Sequence, residues 1–133
     1  MNQTQTSEAT VIATRIGMVT VDCADPVAEA EFWAALLGGE IAAATQEYAM
    51  VVFPAGPALG FGCVDDFEPP AWPNPHGSKQ FHLDLAVTDI AATEQQALGL
   101  GASLAEPQPG ETWRVLIDPA GHPFCLSDAK NWG

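Results

Sequence analysis

The chain has 133 residues and is 47% hydrophobic, which suits one domain with its own core and argues against a disordered tail. It carries 4 Lys and Arg against 17 Asp and Glu, a formal net charge of −13. That charge repels phosphate backbones and anionic lipid, so nucleic-acid and membrane-surface binding are set aside, and a cationic ligand or plain solubility fits better. No run is long and apolar enough to span a bilayer, and residues 1–14 lack the basic and apolar regions of a signal peptide. Cys23, Cys63 and Cys125 are odd in number and form no CxxC pair. They indicate reduced thiols and a cytoplasmic protein, without a disulfide framework or zinc knuckle.

Residues 1–14 are polar and read as a flexible tail, with residues 15–133 as a single domain. Alternation over 18–23 predicts a half-buried strand. Asp25 then caps a helix with Pro26 at its first position, and Gly38-Gly39 stops it. Three short strands follow over 40–44, 48–53 and 59–64. Residues 65–79 hold Pro69, Pro70, Pro73 and Pro75, a density that leaves only a connector. A strand is predicted over 81–87, and a second helix runs from the cap Asp89 to about Leu100. Strands over 102–105, 113–118 and 123–127 complete the chain, the last two joined by the turn Asp118-Pro-Ala-Gly121.

The order is therefore βαβββ, a connector and βαβββ again, with modules of about 16–64 and 80–128. An offset of 64 carries Asp25 onto Asp89, Met18 onto His82 and Phe61 onto Cys125. The helix stop Gly38 maps one residue beyond Gly101, a slip of one. Other catalytic signatures such as GxSxG, a phosphate-cradling glycine loop or HExxH do not occur.

Two local motifs carry a resemblance. One is Asp22-Cys-Ala-Asp-Pro26 followed by Glu31-Phe-Trp-Ala-Ala-Leu-Leu-Gly38. The other is His82-Leu-Asp-Leu-Ala-Val87 with Trp113-Arg-Val-Leu-Ile-Asp-Pro-Ala-Gly-His-Pro-Phe-Cys125. With the doubled βαβββ order, the chain resembles the vicinal oxygen chelate superfamily, which includes glyoxalase I, extradiol dioxygenases, fosfomycin-resistance proteins and bleomycin-binding proteins. It looks most like the small glyoxalase-like branch. The resemblance implies an α+β fold of two modules with curved mixed sheets around a shared cavity, and a homodimer.

Metal-dependent members hold a divalent ion with one side chain on each of four strands. Carried over by motif, those positions fall on Met18, near Phe61 (flanked by Gly60 and Gly62), on His82 and on Cys125. Met and Phe do not replace carboxylate or imidazole for such an ion. No cofactor is therefore expected. The alternative is an unusual divalent-metal site made of His82, Asp84 and Cys125, since Asp84 shares a strand face with His82.

Strand parity with the apolar set turned to the helices leaves Asp22, Phe61, His82, Asp84, Arg114 and Cys125 on the cavity face, with Met18 and Thr20. Trp33, Trp113 and Cys23 read as core. Trp72, in the connector, closes over the cavity or packs on its own prolines. Arg114 meets a ligand, or pairs with Asp84 or Asp22. His82 is a hydrogen-bonded cavity histidine or, with Asp84, a candidate acid–base catalyst. The expected function is metal-free binding of a small, possibly cationic molecule. The alternative is a lyase, isomerase or dioxygenase-type enzyme using His82 with nearby carboxylates.

Overall fold

The computed structural model describes residues 13–70 and 81–132. Most of the expected tail, and Trp72, lie outside the described residues. The elements are β1 (Met18–Cys23), α1 (Pro26–Leu37), β2 (Glu40–Ala44), β3 (Tyr48–Val52) and β4 (Ala58–Cys63), then β5 (Leu83–Val87), α2 (Ile90–Leu100), β6 (Ser103–Leu104), β7 (Trp113–Ile117) and β8 (Pro123–Asp128). A 3-10 turn, Ala129–Trp132, follows β8. The expected βαβββ pair is present.

Each module forms one four-stranded sheet, in the orders β1-β4-β3-β2 and β5-β8-β7-β6. The first strand of each lies parallel to the last, and the other pairs are antiparallel. This is a mixed, open α+β architecture, and β1 and β5 are edge strands. None of the described helices is long and apolar enough to cross a membrane.

Both helices start as the sequence predicts. The Asp25 carboxylate accepts the Ala28 amide at 3.2 Å, and that of Asp89 accepts the Ala92 amide at 3.0 Å. Each satisfies an amide that has no carbonyl partner within its helix. Gly38 and Gly101 end the helices at φ of 75° and 118°, a left-handed geometry that glycine adopts without strain. Asp25→Ala should lower stability by about 1 kcal/mol, read by urea denaturation. An unchanged midpoint would show that the cap is redundant with Pro26.

Two elements are shorter than expected. β5 begins at Leu83, and Phe81, expected in the strand, is fully exposed and lies outside the sheet. β6 has two residues because a side chain takes over its pairing. Gln108 Nε2 donates to the carbonyls of Ala105 and Val115, and Gln108 Oε1 accepts the Val115 amide.

The main core is common to both modules. Phe32 and Trp33 of α1 cluster with Val51 and Phe61 of the first sheet and Leu116, Phe124 and Leu126 of the second. The Phe124 ring lies 4.9 Å from that of Trp33 and 6.0 Å from that of Phe32, both edge-on. Polar contacts fasten the same junction. Trp33 Nε1 donates to Asp118 at 3.1 Å, the Ala120 amide donates to Glu29 at 3.0 Å, and His122 Nε2 donates to the Asp22 carbonyl at 2.6 Å. The β7–β8 turn of the second module is thus seated on α1 and β1 of the first.

Candidate functional site

Register decides which side chains share a face. In the parallel pair β5–β8, Asp84 lies beside Cys125, and Leu83 and Leu85 lie beside Phe124 and Leu126. The leucines and Phe124 turn to the helices, so Asp84 and Cys125 occupy the opposite, concave face. In the antiparallel pair β7–β8, Trp113 lies beside Ser127 and Val115 beside Cys125, while Arg114 lies beside Leu126 and Leu116 beside Phe124. Trp113 and Val115 therefore share the concave face with Cys125.

This reverses the expectation for β7. Arg114 does not face the cavity and does not pair with Asp84 or Asp22. It passes beside α2, where its Nε donates to Glu94 at 2.8 Å. Leu116 belongs to the main core, and Trp113 is about a third exposed instead of core. The rule that apolar residues face the helix fails here because the concave face is itself apolar. Ala105, Val115, Cys125 and Ile117 form a second, smaller cluster on it.

Phe61 is also displaced from its expected face. It pairs with Val21 and is fully buried in the main core. The partner of Thr20 is Gly60, as Cys125 is the partner of Asp84. Thr20 and Asp84 are 64 residues apart, but Gly60 and Cys125 are 65 apart, so the last strands have slipped by one. The fourth-strand position is thus Gly60. A Cβ there would lie 2.8 Å from Met18 Sδ, so the Met18 side chain crosses the place where a ligating side chain would stand.

His82, Asp84 and Cys125 do converge. Their ligating atoms all lie within 4.8 Å of one another. His82 Nε2 is 3.4 Å from the Asp84 carboxylate. Burial first, and then the Asp84 charge and a hydrogen bond to it, push the Cys125 thiol up to about 11. Asp84 thus lies close to both the thiol and the imidazole. Burial first, and then the Glu29 charge, likewise push the Cys23 thiol up to about 11. At about pH 8, iodoacetamide should therefore modify exposed Cys63 before Cys23 or Cys125, as read by peptide mass spectrometry. Equal rates at all three would contradict this placement.

The trio lies in a concave pocket of about 460 Å³ whose lining also includes Pro109, Thr112, Trp113, Ser127, Asn131 and Trp132. Trp132 Nε1 donates to Ser127 Oγ at 3.1 Å, which pins the C-terminal turn at the pocket. No Lys or Arg is among the described lining residues. Trp132 was missed because no alternation marks a 3-10 turn, and Ser127, two residues from Cys125 on β8, was not singled out although it shares that face. Trp113 was readable in principle, since a hairpin closed by Asp118-Pro-Ala-Gly121 places it on the face of Cys125.

A second cavity, of about 530 Å³, opens between β1 and β5. Asp22, Phe61 and His82 line it, with Asp118 and His122, which sequence reasoning did not single out. The available signal was the Asp-Pro-x-Gly turn, which was read as a connection only. The seven sequence candidates are thus divided. His82, Asp84 and Cys125 meet at the concave pocket, Asp22 and Phe61 line the other cavity, Arg114 faces α2, and Trp72 lies outside the described residues.

The model of the glyoxalase-like domain family matches residues 18–127. The chain belongs to the glyoxalase-like domain family. Solved structures agree with that membership. A glyoxalase/bleomycin resistance protein/dioxygenase family enzyme from Burkholderia phytofirmans PsJN is 15% identical with a TM-score of 0.67, over 87% of this chain and 99% of that one. Glyoxalase I of Leishmania major is 15% identical with a TM-score of 0.63, over 90% of each chain. The bleomycin-binding protein of Streptomyces verticillus, solved with copper(II)-bleomycin, is 16% identical with a TM-score of 0.56, over 89% and 98%. At such identities the likeness is one of fold. No curated protein matches the sequence.

As a glyoxalase-like chain it is placed in the vicinal oxygen chelate superfamily, whose metal-dependent members bring four ligands to the ion. Here β1 offers the Met18 thioether and β4 offers Gly60, which has no side chain. The remaining two positions hold His82 and Cys125, whose thiol is pushed up by burial and by the Asp84 charge. These residues do not fit the four-ligand pattern.

Proposed function

We propose that this glyoxalase-like chain binds a small polar molecule, favouring one with a cationic group, and does so without a bound metal ion. The observation that carries the reading is the placement of the Asp84 carboxylate in a pocket lined by Trp113 and Trp132 and, among the described lining residues, by no Lys or Arg. A carboxylate beside indole faces attracts an ammonium group by charge and by the ring quadrupole. The net charge of −13 adds a long-range pull in the same direction. Free thiols at all three cysteines support a cytoplasmic setting. A homodimer is supported by exposed Ile16, Met18 and Val19 on and beside edge strand β1.

The test is a tryptophan-fluorescence titration with organic ammonium compounds and their neutral and anionic analogues. The ammonium compounds should change the emission, and Trp113→Phe with Trp132→Phe should remove most of that change. Asp84→Asn should weaken binding by about tenfold. Equal responses to cations and anions, or none to any compound, would overturn the proposal.

One observation favours a second reading, an enzyme of lyase, isomerase or dioxygenase type. The His82, Asp84 and Cys125 donors are close enough to one another to gather a divalent ion after small side-chain rotations. Without an ion, His82 beside Asp84 retains the chemistry of a general acid–base pair. Turnover that survives both His82→Ala and Asp84→Ala would remove this reading.

A further inference from the structure

The cavity between β1 and β5 differs from the concave pocket in most of its walls. Its floor is made by helix-facing residues, Trp33, Phe61 and Phe124. Its mouth carries Phe67 and Phe81, with the exposed carboxylates of Asp22 and Glu68. Among the described lining residues there is no Lys or Arg to neutralise them. Phe81 is fully exposed, a state that wastes about 1.5–3 kcal/mol of potential burial for a large apolar side chain. The mouth is therefore apolar and anionic at once.

Its frame is fixed. His122 donates to the Asp22 carbonyl at 2.6 Å and its ring lies 5.6 Å from that of Phe67. Trp33 is held by its hydrogen bond to Asp118. A site with preset walls loses little entropy when it is filled. Its volume of about 530 Å³ lies in the range of small-molecule sites.

We propose that this crevice is a second ligand site, selective for a hydrophobic organic cation of the arylalkylamine class. The aryl group lies between Phe67 and Phe81, backed by the buried aromatic core, and the ammonium group meets Asp22 and Glu68 at the mouth. The feature that selects the class is charge complementarity, because an apolar crevice alone would accept neutral aromatics equally well. This site meets the concave pocket at His82, which borders both, but does not rest on the function proposed for that pocket.

The test uses full-length protein, with 2-phenylethylamine as probe and 2-phenylethanol as its neutral counterpart, followed by the indole N–H resonances in NMR. Trp113→Phe and Trp132→Phe assign the concave-pocket indoles, both side chains being exposed enough for the fold to survive, and Trp72→Phe assigns the third, which leaves the Trp33 signal. The amine should shift the Trp33 indole, whose N–H is bound to Asp118. The alcohol should bind about tenfold more weakly, as should the amine in the Asp22→Asn/Glu68→Gln double variant or at high salt. Those two positions are exposed, so the variant keeps the core intact. Equal affinity for the alcohol would overturn the proposal, as would no shift of Trp33 at millimolar amine. Shifts confined to Trp113 and Trp132 would also overturn it while leaving the concave-pocket reading in place.

Discussion

Phe124→Ala should destabilise the protein by about 3–5 kcal/mol, measured by urea or guanidinium denaturation. The side chain is 1% exposed and sits where the two modules meet, edge-on to Phe32 and Trp33. Its loss removes buried area and leaves a cavity that two rigid aromatic rings cannot refill. Domains of this size are stable by only about 5–15 kcal/mol, so one such change consumes a large share. Because the core is continuous, both modules should unfold in a single transition at the lowered midpoint. Phe81→Ala is the control: Phe81 is fully exposed and its loss should change stability by less than about 0.5 kcal/mol. A Phe124→Ala loss as small as the control would contradict the shared core.

Glu29→Gln should raise stability in mildly alkaline solution. Glu29 is 1% exposed on α1, and its Oε1 accepts the Ala120 amide. Its Oε2 meets no donor, and the neighbouring group is the Asp118 carboxylate. Three N–H groups, from Trp33, Ala120 and His122, already converge on Asp118. The proton that separates the two carboxyls therefore resides on Glu29. Burial first, then Asp118, push its acid up to about 9.

The sign of the pH dependence follows. Below about pH 4.5 both the folded and unfolded chains keep this proton, and the group makes no difference. Between about 4.5 and about 9 the unfolded chain releases it while the folded chain holds it, so stability falls as pH rises. Glutamine keeps the acceptor for Ala120, offers N–H groups to Asp118 and has no proton to lose. At about pH 8 the gain should be on the order of a few kcal/mol, and the slope of stability against pH should flatten. Asp118→Asn should instead destabilise, since it removes an acceptor from groups that need one. A Glu29→Gln variant less stable than wild type at alkaline pH would place the proton elsewhere.

Much of the fold was legible because its signals are local. Asp25 and Asp89 cap helices through their own side chains, and Gly38 and Gly101 end them by backbone geometry. The doubled βαβββ order follows from those markers and from alternation in strands such as β1 and β5. The concave trio was legible for the same reason, since His82, just before β5, is two residues from Asp84. What failed depended on partners far away in sequence. Arg114 and Trp113 were turned the wrong way because β7 carries apolar residues on both faces, and only its register against β8 separates them. Phe61 was misplaced because a fixed offset cannot register a one-residue slip between the last strands. Glu29 gave no signal at all. It looks like a first-turn helix glutamate, and its burial depends on a turn 91 residues away.

The concave pocket is expected to work without a metal ion. The direct measurement is metal content by mass spectrometry on untagged protein, purified without chelator and offered zinc, nickel, manganese and iron. Burial and the Asp84 charge hold the Cys125 thiol in its protonated form, and Met18 and Gly60 supply no oxygen or nitrogen side-chain ligand. The wild type should therefore retain far less than one ion per chain, no more than His82→Ala retains. About one ion per chain, lost in His82→Ala, would contradict the account and make the trio a metal centre.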